Sequence, residues 1–143
     1  MADADLTASV LGASGFAGGE LLRILDQHPH IEVVQATSRQ YERRSIGTVH
    51  PNLRESSLRF SDPADLESVD ILFAATPHGV TMERIDELTA HADAVVDLSA
   101  DFRLETEAQY DEWYEGHSAP EYLDRATPAL PELYRDQLPG ASS

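Results

Sequence analysis

The strongest constraint on the fold is a glycine-rich turn placed between an apolar run and an amphipathic segment. Residues 8–11 form a short, mainly apolar run, and three glycines follow in a G-x-x-G-x-x-G spacing, at Gly12, Gly15 and Gly18. Apolar side chains then recur at helical spacing between residues 15 and 27, at Phe16, Leu21, Leu22 and Leu25. The sequence therefore predicts a strand, a tight turn and a helix whose first turn can hold an anion.

Each glycine of this turn has a predicted role. Gly12 allows the tight turn, Gly15 lets a diphosphate approach the backbone, and Gly18 permits close packing of the helix on the strand. Backbone amides and the Ser14 hydroxyl then supply hydrogen bonds to a dinucleotide, and the predicted contacts are Gly12, Ala13, Ser14, Gly15, Phe16 and Ala17. The alternative is a glycine-rich turn that binds nothing.

The rest of the chain alternates predicted strands and helices. Strands are expected at 31–36, weakly at 58–60, at 71–75 and at 94–98, with helices at 79–90 and 105–115 and a helix start at Asp62-Pro63. Residues 37–57 form a long polar loop. Strands that are buried on both faces predict one α/β domain over residues 1–143, a Rossmann-like parallel sheet with helices on both faces.

In such a sheet, ligands bind beyond the carboxyl ends of the strands. The segments that directly follow predicted strands are 12–18, 37–44, 76–79 and 99–103. Beyond the glycine-rich turn, they add Thr37, Ser38, Arg39, Thr76, Pro77 and Ser99 as candidate cofactor contacts. Thr76 and Pro77 are expected to contact the cofactor through the backbone.

The end of the second strand predicts which dinucleotide is bound. An NAD site normally has an acidic residue there, but this sequence reads Ala36-Thr37-Ser38-Arg39. A carboxylate would repel a 2′-phosphate, whereas a hydroxyl and a guanidinium bind it through charge-assisted hydrogen bonds. NADP is therefore the predicted cofactor, with Arg43 or Arg44 as a second cation.

Composition restricts the function classes. Acidic residues outnumber basic ones 26 to 10, every basic residue is Arg, and the formal charge is -16, which disfavours binding to nucleic acid or anionic membranes. Such surfaces are typical of salt-adapted proteins. No apolar run is long enough to span a bilayer, so a cytoplasmic protein is expected. Zero cysteines exclude disulfides and a thiol nucleophile within these residues.

Other polar and aromatic residues have two interpretations each. Five arginines cluster within a short stretch and either bind an anion or pair with nearby carboxylates: Arg39, Arg43, Arg44, Arg54 and Arg59. Arg103 either holds a substrate anion or pairs internally with Asp97 or Asp101. His78 is expected to cap or pack at a helix start, and the cluster Tyr110, Trp113 and Tyr114 to lie in the core or a domain interface. The histidines lack zinc-site spacing, so no metal is predicted.

The chain resembles the amino-terminal domain of N-acetyl-gamma-glutamyl-phosphate reductases, and among them the branch that reduces carrier-protein-bound aminoadipyl or glutamyl phosphate. The matching segments are 12–21, 37–39, 50–54, 77–80, 96–104 and 130–135, and residues 97–103 are the most specific. The resemblance implies NADPH-dependent reduction of a free or carrier-bound acyl phosphate to a semialdehyde, in arginine or lysine biosynthesis, by a homo-oligomeric full-length enzyme.

In that family a cysteine follows the segment matching residues 130–135, and a general-base histidine lies in a second domain. Neither position occurs in the 143 residues, so no catalytic residue is assigned here and the chain by itself is expected to bind cofactor without turnover. The chain also departs from the family before residues 130–133, where Thr127-Pro128 stands in place of the aromatic-containing run that family members more often have. A non-catalytic NADP sensor is the alternative, whereas a short-chain dehydrogenase would need a Tyr-x-x-x-Lys pair that a lysine-free chain cannot supply.

Overall fold

The computed structural model describes residues 5–140, and its centre is a five-stranded sheet in which all named strands pair in parallel. The strands are β1 (Leu6–Leu11), β2 (Ile31–Thr37), β3 (Phe60–Ser61), β4 (Val69–Ala74) and β5 (Ala92–Asp97). Their order in the sheet is β3-β2-β1-β4-β5. The direction of strand addition reverses between β1 and β4, which is the switch point of a doubly wound fold. The predicted α/β class is confirmed.

Helices cover both faces of the sheet. The long ones are α1 (Phe16–Leu25) and α2 (Val80–His91), and the short ones are α3 (Glu107–Asp111) and α4 (Pro131–Tyr134). Successive strand residues point to opposite faces, so Val10 lies in one apolar cluster with Leu22 of α1. Leu11 lies in a second cluster with Leu88 of α2. Within residues 5–140, no helix is long and apolar enough to cross a bilayer.

The long segment between β2 and β3 is more ordered than its polar composition predicts. It contains two 3₁₀ turns, Ile46–Thr48 and Pro51–Leu53. The side chains of Ile46 and Leu53 are buried in the same apolar cluster as α1. This loop therefore folds back against the first helix, and it packs on the domain instead of extending into solvent.

The helix predicted to start at Asp62-Pro63 does not form. The Asp62 carboxylate accepts the Ala64 amide at 2.9 Å, so the segment begins as a turn. Its later backbone groups then bond to buried Gln35, whose side-chain nitrogen donates to the Asp65 carbonyl at 2.6 Å and whose oxygen accepts the Glu67 amide at 3.2 Å. Because the segment's hydrogen bonds go to β2, no helical ladder is made.

Phe16, the first residue of α1, is fully exposed at 101%. The burial prediction for β5 is wrong. Expected to be buried on both faces, β5 is an edge strand of the sheet formed by residues 5–140, and Val96 is 36% exposed, as is Leu98 directly after the strand at 39%. The weak third strand expected at 58–60 lies at Phe60–Ser61.

Replacing Gln35 with Leu tests its role as a buried hydrogen-bonding centre. The change leaves Ser9, Ser61, Asp65 and Glu67 groups without their partner, so we expect the free energy of unfolding to fall by about 2–4 kcal/mol. Urea denaturation measures it, with exposed Gln40→Leu as a control that changes stability by less than about 0.5 kcal/mol. Equal effects of the two variants would contradict this role.

Candidate functional site

The candidate site lies at the carboxyl edge of the sheet, where the strand order reverses. The turn after β1 leads into α1, and the loop after β4 leads into α2. A Cβ at Gly12 would overlap the carbonyl oxygen of Ala75, so the two loops touch at this point. Open parallel sheets leave a crevice for a ligand at such a position.

Two glycines of the turn are required by the packing of the protein itself. Gly12 has φ +73°, a left-handed conformation that side chains rarely adopt, and its Cβ would also lie 2.9 Å from the Ala75 carbonyl carbon. A Cβ at Gly18 would lie 2.6 Å from the Gly12 carbonyl oxygen. These contacts agree with the tight turn and the close helix packing predicted for Gly12 and Gly18.

Gly15 is different, because the protein leaves room for a side chain there. Its φ is -77°, and the nearest atom to a Cβ would be the Gly12 oxygen at 3.7 Å. No side chain caps α1, and within residues 5–140 the amides of Phe16, Ala17 and Gly18 have no hydrogen-bond partner. The start of α1 is therefore open, with its amides and the positive end of its dipole available to an anion.

Thr37 holds the turn from the neighbouring strand. Its hydroxyl oxygen accepts the Gly12 amide at 3.3 Å, and its carbonyl accepts the Ala13 amide at 3.0 Å. The Thr37 side chain is fully buried. The amides of Gly12 and Ala13 are thus used inside the protein, and these three predicted contact residues shape the turn from within.

A pair of serines connects the turn to the end of β2. The Ser38 hydroxyl donates to the Ser14 hydroxyl oxygen at 2.9 Å, and the Ser38 amide donates to the Ser61 carbonyl at 3.0 Å. Because the Ser38 proton is used in this bond, the proton on Ser14 is left to donate to a ligand. The exposed Arg39 follows directly, and Glu32 lies at the opposite end of β2.

The five clustered arginines are all exposed. Of these five, only Arg43 pairs with a carboxylate among the residues that the structure describes, at 3.4 Å from Glu42. Its backbone has φ +66°, and its amide donates to the Phe60 carbonyl at 2.7 Å. Pairing with nearby carboxylates therefore accounts for Arg43 alone, and the guanidinium of Arg39 has no ion pair within this part of the chain.

The start of α2 is capped by a residue from the loop after β5. The fully buried Asp101 accepts the Gly79 amide at 2.9 Å and the Met82 amide at 3.0 Å. His78 Nδ1 lies 3.0 Å from the same carboxylate, and its ring stacks on Tyr114. The expected role of His78 divides accordingly: it packs, while Asp101 caps. Local spacing contains no signal for a cap that is 22 residues from the amide it binds.

A second carboxylate, Asp97, joins the loops after β4 and β5. It accepts the Ser99 amide and the Thr81 hydroxyl, both at 3.0 Å, and Thr81 in turn lies 2.9 Å from the Thr76 hydroxyl. Burial raises the pKa of Asp97 above its ordinary value, against the opposing effect of the Ser99 and Thr81 hydrogen bonds. Thr76 and Ser99 are thereby held in one network, next to exposed Pro77.

Arg103 does not form the internal ion pair considered as its alternative role. Its guanidinium donates to the Ser99 carbonyl at 3.3 Å and is exposed, and within residues 5–140 it makes no ion pair with Asp97 or Asp101. It lines a broad groove that extends from Ala17 at the start of α1 along β5. Trp113, 76% exposed, lines the same groove, whereas Tyr110 is buried.

Comparison with known proteins places this geometry in a family. Residues 7–141 match the family described as semialdehyde dehydrogenase, NAD binding domain. The chain is 68% identical over 136 residues to a Haloquadratum walsbyi protein whose proposed name is LysW-L-2-aminoadipate/LysW-L-glutamate phosphate reductase, covering 95% of this chain and 39% of that protein. It is also 44% identical over 134 residues to N-acetyl-gamma-glutamyl-phosphate reductase of Desulfotalea psychrophila. That match covers 91% of this chain and 39% of the other protein.

Among solved structures, the fold matches aspartate semialdehyde dehydrogenase with NADP from Candida albicans. The TM-score is 0.55 at 17% sequence identity, over 71% of this chain and 32% of that one. The similarity supports the Rossmann-like fold. The chain spans about 39% of the length of the curated relatives named above.

Replacing Gly12 with Ala tests whether the turn depends on left-handed backbone and close packing. Strain and overlap with Ala75 should together lower the free energy of unfolding by about 2–5 kcal/mol. Gly116→Ala is the matched control, since Gly116 has φ +53° but open space around its Cβ, and we expect it to cost about 1 kcal/mol. Similar urea midpoints for the two variants would contradict the packing argument.

Asp97→Asn tests the cost of ionising a half-buried carboxyl. The raised pKa means that stability is lost as pH rises from the ordinary pKa of Asp through the raised one, because the folded state must then hold the charge. Asn keeps the acceptor for Ser99 and Thr81, so its melting temperature relative to wild type should rise with pH through this window. Asp93→Asn, an exposed change on the same strand, removes equal charge and should show no such rise.

Proposed function

The chain belongs to the semialdehyde dehydrogenase family, of which it is an NAD-binding domain, and from that premise we propose that it binds NADP in preference to NAD. The observation that carries the proposal is the open start of α1 together with Arg39, which is exposed and forms no ion pair within residues 5–140. The start of α1 lies at the switch point of the sheet, where a dinucleotide is bound in this class of fold, and Arg39 follows β2, the strand next to β1.

The diphosphate fits the start of α1. The amides of Phe16, Ala17 and Gly18 lack partners within residues 5–140, and the Ser14 hydroxyl has a proton to donate. Gly15 keeps the space before the helix free of a side chain, so a ligand can approach the backbone closely. Gly12 and Ala13 contribute indirectly, since Thr37 uses their amides to hold the turn in place.

The 2′-phosphate of NADP fits the end of β2. The guanidinium of Arg39 is exposed and free of carboxylate partners in the described chain, so its charge is available to a phosphate. Residues 36–39, at the end of the strand, include no acid, so the group that would hold the ribose hydroxyls of NAD is missing from this position. Arg43 is the second cation of the proposal, although it shares its charge with Glu42.

The nicotinamide end of the cofactor is proposed to lie along the loops after β4 and β5. Thr76 and Ser99 are joined through Thr81 and Asp97, so these two loops present one connected surface with Pro77 at its rim. Arg103 is exposed beside Ser99 and is the proposed anchor for an anionic substrate group. A substrate held there would lie beside the cofactor in the groove lined by Ala17.

For the full-length protein we infer reduction of an acyl phosphate to a semialdehyde, as the names of the relatives indicate. Bound NADPH supplies hydride in this chemistry. The inferred thiol that displaces phosphate and forms a thioester must come from outside these 143 residues, which contain no cysteine. A carrier-bound aminoadipyl or glutamyl phosphate and acetylglutamyl phosphate are the candidate substrates, in lysine or arginine biosynthesis.

Titration of the 143-residue chain with NADPH and NADH in high salt tests the cofactor assignment. We expect NADPH to bind at least about tenfold more tightly, because a charge-assisted hydrogen bond to the 2′-phosphate contributes about 1.5–3 kcal/mol. Arg39→Ala should abolish that preference by weakening NADPH binding alone. Equal affinities of the wild-type chain for the two cofactors would refute the roles of Ser38 and Arg39.

The matched control for this titration is Arg23→Ala. Arg23 is an exposed arginine in the last turn of α1, paired with Glu20 and remote from the carboxyl edge of the sheet. Its removal changes net charge by the same amount as Arg39→Ala. We expect it to leave the NADPH preference unchanged, which separates local recognition from the general effect of charge.

A further inference from the structure

We propose that His50 is a positioning residue that orients the phosphate-binding turn through the peptide between Ala13 and Ser14. This inference rests on the proposed function, because it concerns how the same turn is prepared for an anion. The sequence shows His50 in a segment that resembles a family motif, but it gives no indication of a role. The structure brings its ring against the turn after β1.

His50 is held firmly by its own backbone. It lies between the two 3₁₀ turns of the β2–β3 loop, its amide donates to the Ile46 carbonyl at 2.9 Å, and its carbonyl accepts the Leu53 amide at 2.8 Å. Ile46 and Leu53 are both buried in the apolar cluster beneath α1. The imidazole is therefore presented from a part of the loop that is fixed to the core.

The imidazole binds the turn through a single defined contact. His50 Nε2 lies 2.8 Å from the carbonyl oxygen of Ala13. A carbonyl can only accept, so Nε2 carries the proton in this bond. The Ala13 amide is bonded on its other side to the Thr37 carbonyl at 3.0 Å, and residue 13 is thus held by β2 and by the loop at once.

Holding the Ala13 carbonyl also sets the direction of the next amide. The peptide is trans, and in a trans peptide the C=O and the following N–H point in opposite directions. A carbonyl directed at His50 therefore directs the Ser14 N–H away from the loop. Within residues 5–140 that N–H has no partner, like the amides of Phe16, Ala17 and Gly18. His50 thereby adds the Ser14 amide to the donors available to a diphosphate.

Gly19 provides the space that this contact requires. A Cβ at Gly19 would lie 2.5 Å from His50 Nδ1 and would overlap the ring. Glycine is unfavourable inside a helix relative to alanine, and Gly19 is buried within α1 at a normal helical position. The missing side chain is accounted for by the imidazole that occupies its place.

The test measures NADPH affinity of four chains: wild type, His50→Ala, His50→Gln and Gly19→Ala. His50→Ala should weaken binding roughly three- to tenfold, the loss expected for one orienting hydrogen bond. Gln can place an amide N–H near the position of Nε2, so His50→Gln should recover most of the affinity. Gly19→Ala should weaken binding by a factor similar to His50→Ala, because its Cβ displaces the ring.

The double variant Gly19→Ala/His50→Ala makes the test independent of general stability. The three atoms nearest to the new Cβ all belong to the imidazole, so removing the ring removes this overlap, and the double variant should bind NADPH as His50→Ala does, with no further loss. Its thermal unfolding midpoint without ligand should lie above that of His50→Ala, since alanine favours the helix. A purely structural effect would make affinity follow the unfolding midpoint instead.

The outcomes separate this inference from the proposal on which it rests. A wild-type chain that fails to bind NADPH overturns both. A wild-type chain that binds NADPH, with His50→Ala or Gly19→Ala binding equally well, overturns the role of His50 alone. Additive losses in the double variant, or no recovery with Gln, also overturn it. Non-additive losses together with recovery by Gln support it.

Discussion

The carboxyl edge of the sheet depends on how the turn after β1 is held. Thr37 on the neighbouring strand accepts the amides of both Gly12 and Ala13, so the turn cannot move without breaking the junction of β1 and β2. Gly12 then passes so close to Ala75 that no side chain fits between the two loops. The internal bonds use the first amides of the turn, which leaves the later ones, at the start of α1, for an anion.

As Thr37 holds the turn after β1, two carboxylates hold the loops after β4 and β5 through hydrogen bonds. Asp101 caps α2 from the loop after β5, and Asp97 joins that loop to Thr81 at the first turn of the same helix. Both acids satisfy backbone or hydroxyl donors, so neither is available to neutralise Arg103. A chain with a formal charge of -16 thus keeps selected arginines free at the edge where an anionic ligand is expected.

The site could be predicted from the sequence to the extent that it is local. Two predicted features are properties of short segments: the spacing of Gly12, Gly15 and Gly18, and the lack of an acid in residues 36–39. The structure places both segments at the carboxyl edge of the sheet, as expected. The contacts of Asp101 and His50 could not be predicted, because each reaches backbone far away in sequence. Whether Arg103 forms an internal ion pair could not be predicted for the same reason. The outcome depends on which backbone and hydroxyl donors Asp97 and Asp101 bind in the fold.

The sequence alone predicts the alternation of strands and helices, the class of sheet and the glycine-rich turn after β1, because periodicity and glycine spacing act within a few residues. Tertiary structure decided which strands are interior. β5 carries Val95 and Val96 yet lies at an edge of the sheet. Asp62-Pro63 has the composition of a helix start, but the backbone of Asp65 and Glu67 that follows it bonds to Gln35. Local helix and strand propensities are weak compared with the free-energy cost of a buried polar group that has no hydrogen-bond partner. Which partner is within reach depends on how the elements pack.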